Sequence, residues 1–470
     1  MIDCNFDMHI HKKVIRTLRM DDNKKLLYFA PGRALFFTAI ILIILGTGLL
    51  ALPICRTCHI GLIDLFFSAT AAVCVTGMFT VPMASFTYIG QGIILLLLQI
   101  GGLSLITFTI LIVSRFIHVG LSGQLKAQQF AEIEIGKEGK SLLPFILMGT
   151  LVIETIGALI FYAVFRHTYP WYQALLLGFY QSISSFCNIG VSMFGFDVEQ
   201  YAHNIPVLLT TTALMFCGII GFPALKELYD YFIYIKNKRK GKLFSFSLQT
   251  KIIVYGSVML TLCGMILLFI TEKNNTLAGM SPLHQCTTLL FNALSFRSAG
   301  FLLVPAGSLT MSTILIMMIY GFIGSSPGST GSGIKITSFA VIIVAIKALM
   351  SGNMHIKLSN RSIPIDQAIK SFTIVVVGIV WIFMATFFLS ITEQGHSLLE
   401  LLLEATSAFT NQGISLGLTE KLTNAGKYIM MLSMIVGRIG PLAFILAWAK
   451  RSLIKSKKNY SYPEERIMLE

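Results

Sequence analysis

Gly324-Ser325-Ser326-Pro327-Gly328-Ser329-Thr330-Gly331-Ser332-Gly333 separates two apolar runs, Met311–Ile323 and residues 334–350. These small, turn-forming residues stand where a membrane helix should continue. Lipid cannot satisfy the N–H and C=O groups of such a backbone, so at membrane depth it must be buried in protein or line a water-filled cavity. The stretch is therefore expected to point inward, toward a pathway. The alternative is an ordinary cytoplasmic loop between two short helices, but each flank falls short of the ~20 residues that a span of ~30 Å of hydrocarbon requires.

Composition supports the membrane setting. Of 470 residues, 55% are hydrophobic and 12% charged, against ~25% charged in soluble domains; the chain reads as a polytopic protein of the lipid bilayer. Its net charge of +14 lies mostly in segments flanking apolar runs, which topology explains better than nucleic-acid binding does. Residues 1–33 are polar and basic (Lys12, Lys13, Arg16, Arg19, Lys24, Lys25, Arg33) and lack the apolar core and cleavage site of a secretory signal. Cys74, Cys187, Cys217, Cys263 and Cys286 fall in or beside apolar runs, where cysteine acts as a small hydrophobe. Only Cys55-x-x-Cys58-His59 has ligand-like spacing, and without a second Cys/His pair it reads as a short loop with two thiols.

The apolar segments repeat one plan four times: a long run, a loop, a medium run rich in small and aromatic residues ending at a glycine, then another long run. Repeat 1 (34–115) has long runs at 34–52 and 90–115 around a short helix at 64–74. Repeat 2 (142–235) has 142–165 and 206–235 around 172–187. Repeat 3 (251–350) has 251–271, a short helix at 283–296 and then the broken helix. Repeat 4 (369–450) has 369–391 and 425–448 around Leu398–Thr410. The expected fold is all-α, with eight spans and four re-entrant half-helices around a central pore.

Most of the 36 lysines and arginines fall in 1–33, 115–141, 226–251, 347–370 and 450–470, segments that share one side of the membrane. The positive-inside rule then makes both termini cytoplasmic, including the tail 451–470, and brings the short helices in from outside.

The four returns are Val75-Thr76-Gly77, Asn188-Ile189-Gly190, Ser298-Ala299-Gly300 and Asn411-Gln412-Gly413. Their side chains differ and their glycine is shared, so what repeats is backbone geometry. Carbonyls turned toward an axis replace the hydration shell of a monovalent cation, and the C-terminal ends of the short helices add negative dipole. No carboxylate occupies a return, which argues against a divalent ion. Asp64 begins a short helix and reads most simply as an N-cap, the alternative being a role in the pore. Glu400 and Glu404 would either draw cations to the mouth or pair structurally. Glu154 is either functional or a buried interhelical hydrogen-bonder. Arg438, within Gly437-Arg438-Ile439-Gly440-Pro441, must face the cavity or meet a carboxylate, and in a cation pathway would act as a barrier below the filter. Lys335 either positions the glycine-rich loop or snorkels to the surface. Arg297 is expected to pack behind its return and bond carbonyls, the alternative being to repel cations.

Taken together, four repeats of span, short helix, single glycine and span, the loop Gly324 to Lys335 and the motif at Arg438 resemble the Trk/Ktr/HKT superfamily of potassium transporters over residues 34–450, closest to the Ktr-type membrane subunit. The resemblance implies a potassium-selective filter with the ion at Thr76, Gly77, Ile189, Gly190, Ala299, Gly300, Gln412 and Gly413. It also implies a gate formed by the loop, with Arg438 narrowing the pore there. Asn411-Gln412 is bulkier and more polar than the family pattern, which bears on selection of potassium over sodium. The resemblance further implies a plasma-membrane homodimer, one pore per protomer, on a cytosolic ring of nucleotide-binding, RCK-type subunits. That ring would be a separate chain, because no G-x-G-x-x-G unit is present. On this resemblance potassium is the expected transported ion, sodium stays open as an activating ion, and no cofactor is expected to be bound by this chain.

Two other classes compete. A sodium-coupled or sodium-conducting secondary transporter predicts inverted repeats and midplane carboxylates, whereas these repeats share one orientation. A membrane enzyme would need a catalytic motif, yet no H-E-x-x-H or G-x-S-x-G appears and His9-Ile10-His11 is too short for a metal site.

Overall fold

A computed structural model of the chain describes residues 31–103, 139–191, 193–194, 198–236, 244–352, 355–358 and 361–448. His9, His11, nearly all of both tails and the basic stretch 115–138 lie outside them. The first unit is α1 (Pro31–Leu50), α2 (Leu62–Cys74) and α3 (Tyr88–Gly102). The second is α4 (Gly139–Phe165), α5 (Trp171–Cys187), α6 (Ile205–Ile220) and α7 (Phe222–Lys236). The third is α8 (Leu248–Glu272), α9 (Pro282–Ser298), α10 (Met311–Ile323) and α11 (Ile336–Met350). An antiparallel hairpin of β1 (Ile356–Leu358) and β2 (Arg361–Ile363) leads to α12 (Ile365–Thr392), α13 (Leu398–Thr410), α14 (Asn424–Ile439) and α15 (Pro441–Trp448).

The same local chemistry opens each returning helix. Thr87, Asn204, Thr310 and Thr423 are N-caps of α3, α6, α10 and α14, and their side-chain oxygens accept the amides of Gly90, Val207, Thr313 and Gly426 at 3.2, 3.2, 3.3 and 3.2 Å. The short helices α2, α5 and α13 close alike, with Val75, Asn188 and Asn411 left-handed at φ 57, 57 and 51. The next amide then reaches back into the helix, from Thr76 to Ala71, Ile189 to Ser184 and Gln412 to Ser407. Helix α9 runs one residue further, leaving Ala299 right-handed.

Two runs expected to be continuous helices are broken. The run 206–235 bends by 102° at Gly221, between α6 and α7, and 425–448 breaks at Gly440, just before Pro441. Both glycines have positive φ, 87 and 95, which glycine adopts at no steric cost. Among the described residues, α8, α12 and α4 from Pro144 onward are long and apolar enough to cross a membrane singly, and α6 with α7 would qualify as a pair.

Burial is inverted relative to a soluble protein. The inward stripe of α12 carries Ser371, Gly378, Ala385 and Thr386, while Val376, Val380, Phe383 and Phe387 face outward. Small residues let helices approach closely where lipid removes any hydrophobic reason to associate. The short helices are the most enclosed elements: α2 is buried from Phe67 to Cys74 and α13 from Leu403 to Thr410. Around them α3 packs on α5, α6 on α9, α10 on α13 and α14 on α2. Each returning helix thus braces the short helix of the next unit, and the fourth closes on the first.

Candidate functional site

The four returns meet end to end. A methyl group on Gly77 (φ 80) would overlap the carbonyl oxygen of Ile189, and one on Gly190 (φ 71) that of Ala299. One on Gly300 (φ 67) would overlap the oxygen of Gln412, and one on Gly413 (φ 85) that of Thr76. Contacts therefore run from each return to the next and from the fourth to the first, a closed ring with the carbonyls of Thr76, Ile189, Ala299 and Gln412 at its joints. Positive φ and the lack of space exclude a side chain at all four glycines. A cavity adjoins the ring, lined by Gly190, Val191, Gly300, Phe301, Gly413 and Ile414, with Glu199 among its walls.

The polar side chains of the returns are buried, and those of Thr76, Asn188, Asn411 and Gln412 bond their surroundings, whereas the Ser298 hydroxyl has no hydrogen-bond partner among the described residues. The Thr76 hydroxyl donates to Asn411 Oδ1 at 2.5 Å, and Asn411 Nδ2 donates to the Met434 carbonyl on α14. Gln412 Nε2 donates to the carbonyls of Phe296 at 2.6 Å and Met317 at 3.4 Å. The bulk of Asn411-Gln412 is thus taken up between helices. A second set of glycines makes room for this packing. A methyl on Gly101, Gly218 or Gly437 would overlap the carbonyl of Val73, Phe186 or Phe409 near the end of a short helix, and one on Gly321 would meet Gln412 Oε1.

The loop Gly324 to Gly333 hangs from the same ring. Ser325, Ser326, Ser329, Thr330 and Ser332 are all buried. The loop follows the break in the second unit: Ser326 and Thr330 amides donate to Ile219 and Gly218 carbonyls at 3.1 and 3.2 Å, and the Phe222 amide donates to Gly328 at 3.0 Å. Gly221 lies against Pro327 and Gly331 against the Ser298 side chain. Asn188 Nδ2 donates to the Thr330 hydroxyl at 2.8 Å, which donates to the Phe186 carbonyl at 3.0 Å. Arg297 is fully buried and donates through Nε and Nη2 to the Gly324 carbonyl at 3.3 and 3.1 Å. Arg438 Nη1 donates to Thr330 O and Ser332 Oγ, each at 2.8 Å, and Nη2 donates to Gly101 O on α3. Lys335 Nζ folds back onto Gly331 O at 3.0 Å. Two guanidinium groups and one ammonium therefore bind the loop's own backbone.

Glu154, Glu404, Glu400 and Asp64 are each engaged by side chains outside the returns. Glu154 accepts from Gln99 Nε2 at 2.9 and 3.1 Å, beside Cys187. Glu404, fully buried, accepts the hydroxyls of Ser415 and Thr419 on the segment leaving the fourth return. Glu400 pairs with His396 at 2.9 Å. Asp64 is not the N-cap its position suggested. Gly61 holds that place and α2 starts at Leu62, while Asp64 pairs with Lys427 at 2.6 Å and accepts from Thr80 at 2.7 Å. No metal-binding cluster of His, Cys, Asp and Glu exists among the described residues, and Cys55 and Cys58 are free thiols.

The chain matches the TrkH family of cation transport proteins across residues 32–461. It is a TrkH-family protein. It is 34% identical over 455 residues to the Ktr system potassium uptake protein B of Bacillus subtilis, covering 96% of this chain and 99% of that one. It is 35% identical over 415 residues to Ktr system potassium uptake protein D of the same organism, covering 87% and 89%. Its fold is that of the potassium transporter TrkH from Vibrio parahaemolyticus, with a TM-score of 0.63 at 16% identity over 83% of this chain and 79% of that one. TrkH-family membership makes the chain a membrane ion transporter and not an enzyme, with an all-α polytopic fold and re-entrant pore helices.

Sequence reasoning gave this TrkH-family protein its returns and loop and missed the partners between them. Nothing in the spacing pairs Asn188 with Thr330, Gln412 with Phe296 or Asp64 with Lys427, residues far apart in the chain. A usable signal did exist in the second glycine that each returning helix carries at Gly101, Gly218, Gly321 and Gly437, because glycine inside an apolar helix commonly marks a close approach.

Proposed function

We propose that the chain conducts potassium into the cell, driven by the membrane potential, through a filter formed by its four returns. The observation that carries this reading is the closed ring of glycines and carbonyls. Backbone oxygens of Thr76, Ile189, Ala299 and Gln412 take the place of water around a dehydrating ion, and the carboxyl ends of α2, α5 and α13 add negative potential. The filter uses backbone alone, which suits a monovalent cation that must bind weakly enough to leave.

Below it the loop Gly324 to Gly333 acts as the gate. Arg438 latches the loop to α3, and its charge, where the loop is closed, opposes a cation in the same space. The loop must release these bonds for the pathway to open. Arg297 and Asn188 fasten the loop to the back of the third and second returns, so gate and filter share supports.

The relatives named for a Ktr system favour a multi-component assembly. In it a plasma-membrane homodimer with cytoplasmic termini sits on a cytosolic nucleotide-binding ring. The test is radioactive rubidium uptake into proteoliposomes under an imposed potential, with potassium, sodium and caesium as competitors. Potassium should compete best. Equal competition by sodium would replace the potassium filter with a relaxed monovalent pathway, and uptake that requires a sodium gradient would favour a coupled transporter.

A further inference from the structure

Helix α7 leaves α6 at 102°, and the span α8 begins shortly after it. A helix that turns by this angle out of one membrane segment, shortly before the next begins, runs along a bilayer face. Its level is fixed at the first turn of α8. Glu227 accepts the Ser247 amide at 2.6 Å, the Ser247 hydroxyl at 2.8 Å and the Thr250 hydroxyl, and Ser247 is the N-cap of α8. From that anchor onward α7 is open on nearly every side, with Phe232 66% and Ile235 55% exposed. Tyr231 packs its ring at a tilt on Phe244 and Phe246, and Tyr234 on Phe244, just before α8. Lys236 is exposed at the end of α7 and Lys251 is half-buried in the first turn of α8, and among the described residues of α7 Asp230 is the exposed carboxylate. Tyrosines with apolar bodies and wet hydroxyls, mixed with lysines, belong at the headgroup boundary of a bilayer.

The other end of α7 holds the loop. The Phe222 amide donates to the Gly328 carbonyl at 3.0 Å, the Pro223 ring packs on Gly328, and Gly221 abuts the Pro327 carbonyl. We propose that α7 is an interfacial helix that binds anionic phospholipid headgroups, and that its seating on the bilayer sets the position of the loop Gly324 to Gly333. The proposal rests on the reading of that loop as the gate. Lysines near an anionic surface each gain ~1 kcal/mol, about fivefold in an equilibrium, so lipid charge has the leverage to shift a gate joined to this helix.

The experiment compares rubidium uptake in vesicles of phosphatidylcholine with and without phosphatidylglycerol, for the parent chain and a Phe232→Ser, Lys236→Gln double variant. Both side chains are at the surface, so the variant should elute from a sizing column as the parent does. Uptake by the parent should rise about fivefold with phosphatidylglycerol, the effect of one lysine at an anionic surface, and the variant should lose that ratio. A second measurement reads position without flux. Tryptophan introduced by Phe232→Trp should be quenched by brominated phosphatidylglycerol beyond the quenching of the parent's three tryptophans. Equal uptake in both lipids, or an unchanged ratio in the variant, overturns the coupling, and the absence of added quenching overturns the seating. If neither protein carries cations in either lipid, even after deletion of residues 325–331, the gate reading fails while the quenching still decides the site.

Discussion

Gly300 occupies the tightest joint of the ring: its φ of 67 is left-handed, and an added methyl would collide with the Gln412 carbonyl. Alanine there meets both a left-handed backbone cost of ~1–2 kcal/mol and a displaced carbonyl. Gly300→Ala should lower rubidium uptake by about tenfold, the equivalent of ~1.4 kcal/mol, in protein of normal yield and oligomeric size. Gln412 makes a different point. Its backbone oxygen belongs to the ring while its side chain bonds Phe296 and Met317 behind it. Gln412→Leu keeps the volume and leaves the buried Phe296 carbonyl unpaired, at ~1–3 kcal/mol. The third and fourth returns should then loosen, and competition assays should show sodium gaining on potassium with total uptake little changed. A fall in uptake with unaltered ion preference would instead mark Gln412 as a general support of the fold.

Among the elements, the loop between α10 and α11 is held by charged side chains that bond its own carbonyls and a serine hydroxyl, with the Gly101 carbonyl of α3 as a further acceptor for Arg438. Arg438→Gln shortens the reach and removes the charge, so the bonds to Thr330, Ser332 and Gly101 weaken together. Uptake should rise about tenfold, in keeping with loss of ~1–3 kcal/mol from charged hydrogen bonds, and deletion of residues 325–331 should raise it at least as far. Unchanged flux in a folded deletion protein would remove the gate. This loop was legible in the sequence because ten consecutive small and polar residues cannot extend an apolar helix. The bends at Gly221 and Gly440 were not, since a lone glycine costs a helix only ~1 kcal/mol and the apolar pattern is the same whether the helix continues or turns. What decides Gly221 is tertiary: the loop's Gly328 carbonyl receives the Phe222 amide. The ends of the short helices were readable from their glycines, whereas the inward or outward choice of Asp64, Glu154 and Arg297 depended on partners from other units.

At the scale of the whole molecule, a ring built from one chain has one joint that no covalent continuity enforces, the meeting of the fourth unit with the first. Helix α14 packs there on α2, Asn411 bonds Thr76, and Lys427 pairs with Asp64 at 2.6 Å, with side chains only 12% and 21% exposed. The pair lies near the starts of both helices, so it closes the ring at the end opposite the loop. Removing one partner leaves a largely enclosed charge without its counter-ion, and such losses run to ~3–5 kcal/mol at full burial. With partial exposure, Lys427→Met should cost ~1–3 kcal/mol and lower the detergent-solubilised melting temperature. Asp64→Asn should cost less, because Thr80 still finds an acceptor in the amide. The double variant should recover much of the loss, giving a coupling energy above ~0.5 kcal/mol in the cycle. Additive effects would mean that helix packing and the Asn411 bond close the ring without the ion pair, and that Lys427 serves only the surface of α14. A positive coupling accompanied by altered potassium preference would tie closure of the outer joint to the carbonyl geometry at Thr76 and Gly413, since those residues sit at the same seam.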